Sequence, residues 1–173
     1  TVVAKTLDTG IAYVRDQLGV DVPIGGIHPA MGTHNCLMRI GDGEFLEIIA
    51  VHPDMERPKH PRWFGLDQPF RQGAVLATWV LGTNDIRAPA NRSSAEVGRP
   101  TRLTRDNLEW LISVAPDGQL PMSGAFPTLV EWSRDLQVHP AENIQDLGCA
   151  LTSLTIRHPQ IERVSKFLRD RLH

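Results

Sequence analysis

Along the first fifty residues the apolar positions change period. Thr1 to Ala4 is strand-like, and Leu7, Ile11, Val14 and Leu18 then recur at helical spacing up to Gly19, a natural helix stop. Val22 to His28 reads as extended. Thr33 to Ile40 and Glu44 to Val51 are strand-compatible runs on either side of Gly41-Asp42-Gly43, which supplies the positive φ angles of a short hairpin loop. The pattern predicts β-α-β-β-β.

A proline-rich connection from Pro53 to Pro69 follows, with an exposed-looking Trp63-Phe64 pair that would cover or plug a cavity. Ala74 to Thr83 reads as one strand, and Asn84-Asp85 begins a short helix that Pro89 interrupts. Thr101 to Thr104 and Leu108 to Ala115 form a second hairpin about Arg105-Asp106-Asn107, with Leu108, Trp110, Ile112 and Val114 on one face. Phe126 to Ser133 is a further strand. Thr155 to His173 aligns without a gap onto Thr1 to Gly19, matching Leu7 with Ile161, Tyr13 with Phe167 and Leu18 with Leu172, which predicts a closing strand and helix that duplicate the opening unit. An α+β protein with curved sheets and one helix per module is expected.

At 173 residues the chain has the length of one ordinary domain. Nothing resembling a flexible linker divides it, so residues 1–173 are expected to form a single unit. Its parts are a first module over about 1–53, a connection over 54–73, a second module over about 74–135 and a closing strand-helix over about 147–173. A net charge of −2 and a pI near 6.3 give no electrostatic case for nucleic acid or an anionic membrane. No apolar run approaches the roughly 20 residues of a membrane span, and no secretory signal is visible, so a cytoplasmic protein with a small-molecule partner is expected. The two cysteines, Cys36 and Cys149, suit buried free thiols in a reducing compartment.

Candidate chemistry concentrates in a few side chains. Glu47 and Glu131 each sit in an apolar strand, where a carboxylate is costly unless hydrogen-bonded, paired or bound to metal. Five of the seven histidines precede proline (His28, His52, His60, His139 and His158), which gives them an immediate structural reading at strand ends and turns. His34 lies inside a strand between Thr33 and Asn35, and stands as a ligand, a general base or a hydrogen-bonded cavity wall. Asn35, Arg39 and Arg102 are the candidate pocket residues beside it.

The runs GGIHPAMGTHN, GDGEFLEIIAV, PRWFGLD and ATWVLGTNDI resemble the glyoxalase-like domain proteins of the vicinal oxygen chelate superfamily, over nearly the whole chain. The resemblance implies paired βαβββ modules whose sheets curl around a cavity. It also implies a divalent metal (zinc, nickel, manganese or iron) ligated from the first and fourth strands of each module. Glu47 in FLE matches the fourth-strand carboxylate, and Glu131 in LVE is its second-module counterpart. The first-strand histidine would fall upstream of Thr1, and Thr78 stands where the second-module histidine is expected. Threonine is a poor ligand for zinc, nickel or iron, so at most three of the four ligands are expected.

Three readings follow. The first is a glyoxalase-like protein acting on a small oxygenated metabolite by metal-assisted lyase, isomerase or dioxygenase chemistry, with Glu47, Glu131 and His34 in the cavity. The second is a metal-free module that binds an apolar small molecule, and the third is an interaction scaffold or homodimer built by pairing sheets.

Overall fold

A computed structural model describes residues 1–69, 73–92, 97–105, 108–133 and 139–170. The first strand, β1 (Val2–Ala4), is buried along its whole length. Helix α1 (Leu7–Leu18) begins where Thr6 Oγ1 accepts from the Thr9 amide at 3.2 Å, and it ends at Gly19. Strands β2 (Ile24–His28), β3 (Thr33–Gly41) and β4 (Glu44–Val51) complete the first module. β4 returns to lie parallel to β1, and β5 (Ala74–Leu76) adds on the other side of β1, giving the order β2-β3-β4-β1-β5.

The second module repeats this topology. Its elements are β6 (Val80–Gly82), α2 (Arg87–Arg92), β7 (Arg99–Arg105), β8 (Leu108–Val114) and β9 (Thr128–Trp132). The order is β6-β9-β8-β7 with β6 parallel to β9, so each module places its fourth strand beside its first.

The expected single strand over 74–83 is therefore two strands in two sheets. Residues 77–79 carry the chain across, and there the Gly124 backbone (φ 90°) presses on Ala77 so closely that a Cβ would lie 1.8 Å from the Ala77 carbonyl oxygen. Pro89 falls in the first turn of α2, where no intrahelical amide is needed, so it starts the helix rather than interrupting it. Asp85 Oδ1 accepts from the Arg87 and Ala88 amides at 2.9 and 3.2 Å at that start.

Period-two alternation divides each sheet between two cores. On the outer face of the first sheet, Cys36, Met38 and Ile48 pack under Leu7 and Val14 of α1. On the outer face of the second, Leu129 packs with Ile86 and Val97 under Val164 and Phe167 of α3 (Ile161–Arg169). The C-terminal helix thus covers the second sheet as α1 covers the first. The strand expected ahead of it is not in a sheet: residues 150–158 carry no ladder, and Leu151 donates its amide to the Ile40 carbonyl at 2.7 Å. Leu172 of the expected repeat, and Asp106 and Asn107 of the second hairpin turn, lie outside the described residues.

The inner faces share one core, in which Val3 and Ile49 meet Leu103, Trp110, Ile112 and Val130. Trp63 and Phe64, expected to look exposed, are instead 4% and 5% accessible and belong to this core. A closed loop holds them there. The Arg62 amide and Nη1 donate to the two Asp67 carboxylate oxygens at 2.9 and 2.7 Å, and Arg62 Nε donates to the Met31 carbonyl at 3.0 Å. Burying Trp63 and Phe64 beside a hydrogen-bonded ion pair stabilises the connection that roofs the space between the sheets.

Candidate functional site

Between the two inner faces lies a cavity of about 590 Å³. Its floor is built by β3 and β4. Leu37 pairs with Glu47 across the ladder and Asn35 with Ile49, so these inward positions share one face. Asn35 is fixed from both ends. Its Oδ1 accepts from the Gly26 amide at 2.8 Å, which leaves Nδ2 to donate to Glu47 Oε1 at 2.7 Å. Gly25 makes room for this amide, since a Cβ there would lie 2.4 Å from Asn35 Oδ1.

Glu47 is half-buried as a residue and opens on the cavity. Burial pushes its carboxyl above the usual carboxylate range, outweighing the Asn35 hydrogen bond and the charges of the Thr1 amine and Arg105, which all favour ionisation. A carboxyl so poised serves as acid or base nearer neutral pH than an exposed one.

Arg105, the last residue of β7, supplies the cavity's positive charge. Its guanidinium lies over Gly26, where a Cβ would come within 2.8 Å of Nη1. Nη1 also makes a long contact of 3.4 Å to His28 Nε2. His28 is 5% accessible, with Nδ1 3.1 Å from Thr33 Oγ1 and its ring edge-on to Trp63 at 5.0 Å. Burial, then Arg105, then His34 lower its pKa to about 3, so the imidazole is neutral. Donation from Arg105 to Nε2 sets the proton on Nδ1, which donates to Thr33. The second sheet adds an apolar wall with Trp110, Val130 and Trp132, and Leu76, Val80, Leu151 and Leu154 form an exposed apolar rim.

The other expected site residues lie elsewhere. His34 is on the opposite face of β3 from Asn35 and does not line the cavity; its ring lies 4.7 Å from that of His52. Burial and then His52 lower its pKa. Glu131 is on the opposite face of β9 from Trp132, and its Oε2 accepts from the Ile86 amide at 2.7 Å. Glu47 and Glu131 therefore face different compartments. Arg39 pairs with Asp146 at 2.8 Å and Arg102 with Glu109 at 2.5 Å, both outside the cavity. Of the expected set, the structure brings together Asn35 and Glu47. It adds Arg105 and His28, which the sequence reading had given to a turn and to a residue before proline.

The metal implied by the resemblance does not fit the residues present. Glu131 is spent on a backbone amide, Thr78 Oγ1 lies 3.4 Å from the Gly124 carbonyl, and the imidazole nearest Glu47's wall faces a guanidinium that repels cations. Among the described residues no group of three or more His, Cys, Asp or Glu is arranged to hold a metal ion, where a catalytic site needs about three ligands.

The glyoxalase-like domain family matches residues 1–172. No curated protein matches the chain. Among solved structures, a hypothetical protein from Staphylococcus aureus is 18% identical with a TM-score of 0.50, over 78% of this chain and 57% of that one. The chain thus spans little more than half the length of that protein, and the likeness concerns the fold alone. A methylmalonyl-CoA epimerase in complex with methylmalonyl-CoA and NH4+ is 18% identical with a TM-score of 0.47, over 77% of this chain and 91% of that one. With two βαβββ modules curled around one cavity and a family match over almost every residue, the chain belongs to the glyoxalase-like domain family.

Proposed function

We propose that the cavity binds a small oxygenated metabolite and that Glu47 moves a proton on it, in isomerase or lyase chemistry. The observation that carries this reading is the Asn35–Glu47 hydrogen bond of 2.7 Å inside a cavity walled mainly by apolar and aromatic groups. As base, Glu47 takes the proton from a carbon next to a carbonyl. The C–H bond breaks, its electron pair passes to the carbonyl oxygen as an enolate, and protonated Glu47 returns the proton or the enolate expels a leaving group. Asn35 aims the carboxylate, and the Trp63 and Trp110 rings keep water from the reacting carbon. No step is routed through a metal.

Two free thiols, one of them fully buried, support a cytoplasmic setting, and no helix among the described residues is long and apolar enough to cross a membrane.

The test is proton exchange in D2O with a panel of 2-oxo acids, hydroxyketones and thioesters, followed by proton NMR. Wild type is expected to wash out the signal next to the carbonyl of at least one compound. Glu47→Gln, which keeps a partner for Asn35, is expected to slow that exchange by about 10²- to 10⁴-fold. Exchange at equal rates in both proteins would end the assignment, as would exchange of no compound in the panel.

A further inference from the structure

Among the described residues, Arg15, Arg39, Arg57, Arg62 and Arg102 each lie within ion-pair distance of a carboxylate. Arg105 has no such pair with any described residue, although it lies half-buried in an aromatic wall. It is also the one lysine or arginine among the described residues lining the cavity. A guanidinium is a permanent cation, and placing one against apolar surface is costly unless an anion meets it. The site is built to hold it there: Gly26 lacks the Cβ that would strike it, and His28, anchored at Thr33, contacts it at 3.4 Å through Nε2. Glu47 feels its charge but does not lie within ion-pair distance of it.

Most of the remaining lining is apolar, with Glu44, Thr78 and His139 as polar exceptions. Trp63, Trp110 and Trp132 stand along the wall, and Leu76, Val80, Leu151 and Leu154 ring the way out with their side chains exposed. One exposed aliphatic side chain is ordinary by itself, but three leucines and a valine lining one cavity make an apolar path from solvent toward the guanidinium.

We infer that the ligand of this cavity is an amphipathic carboxylic acid, its carboxylate on Arg105 and its aliphatic or aromatic body running along the tryptophan wall to the leucine rim. One arginine among largely apolar walls suits a carboxylate. A phosphate dianion would ask for a second cation or a cluster of amide donors, and the lining offers one Arg. The inference deepens the proton-transfer reading and rests on it only for which carbon reacts, by specifying the acid on which Glu47 works.

The experiment is calorimetric titration of the full chain with octanoate, 1-octanol and octylammonium, and with the straight-chain acids from acetate to decanoate. Octanoate is expected to bind at least tenfold more tightly than octanol, octylammonium more weakly than either, and affinity to rise with acid chain length. Arg105→Gln is expected to lose at least tenfold for octanoate with octanol unchanged. Arg105→Lys, whose folding is checked by circular dichroism alongside, should fall between the two. Octanoate and octanol binding alike, octanoate indifferent to both Arg105 variants, or no octanoate binding at millimolar concentration by folded wild type would each overturn the inference. Octanoate held through Arg105 while no compound exchanges its proton would sink the base assignment and leave the anion anchor standing, and exchange without charge-selective binding would do the reverse.

Discussion

Burial drives Glu47 and His28 the same way, toward their uncharged forms. The consequences for stability have opposite signs. His28 has its folded pKa depressed from 6.5 to about 3, so the unfolded chain binds a proton in that window that the folded chain refuses. Its contribution is complete above the unfolded value and is lost as pH falls from 6.5 toward 3. In urea titrations, the stability difference between wild type and His28→Gln is therefore expected to be level above pH 7 and to move against wild type on acidification. A flat difference across the window would mean that His28 is solvated. Glu47 behaves in reverse: its raised folded pKa makes its contribution most favourable below the ordinary carboxylate range and lost as pH rises through the folded value.

At the scale of elements, the hairpin of β3 and β4 decides which side chains meet. The ladder pairs Leu37 with Glu47 and Arg39 with Phe45, but Gly41 with Glu44, so the register shifts by one residue just before the turn. Continued from the Gly41–Glu44 pair without that shift, Glu47 would lie opposite Met38 and share a face with His34. A one-residue slip exchanges the two faces of a strand, and the bulge beside Gly41 carries no residue signature that fixes it in advance.

Asn35, adjacent to His34, is the residue that the true register delivers. Parity also separates Glu131 from Trp132, a conflict already visible in the sequence. Arg105 was lost for a different reason: β7 runs one residue further than the pattern of β-branched positions suggested, so a strand-end arginine passed for a turn residue.

The crossing between modules is equally specific. Gly124 holds a left-handed backbone against the Ala77 carbonyl, so Gly124→Ala is expected to cost at least about 2 kcal/mol in urea unfolding, from combined backbone strain and overlap. A loss below about 0.5 kcal/mol, the range of ordinary surface changes, would show that the two segments do not pack this way.

For the whole molecule, the duplicated architecture was the most legible feature. Turn residues and periodicity located most strands of both modules, though β5 and β6 were run together, and the gapless match between the two ends reflects two amphipathic helices doing the same work, α1 covering the first sheet and α3 the second. What could not be read was how the modules share their inner faces. The residues that join them (Trp63 and Phe64 from the connection, Trp110 and Val130 from the second sheet) are ordinary aromatic and branched residues in sequence, and only their convergence creates the cavity. In place of a second inward carboxylate, β9 presents Val130 and Trp132 there. The cavity is asymmetric as a result: Asn35, Glu47 and His28 come from one module and Arg105 from the other, and most of the remaining wall is apolar.

The central claim is that Glu47 is a proton-transfer group held by Asn35 and facing Arg105. It is tested most directly by a pH titration of glutamate side-chain carboxyls in ¹³C-labelled protein, with Glu47→Gln identifying the signal. The expected midpoint lies above the ordinary glutamate value of about 4.3 and rises further in both Asn35→Ala and Arg105→Gln, which remove the hydrogen bond and the positive charge that favour the ionised form. A midpoint at or below the ordinary value, unmoved by either substitution, would contradict it.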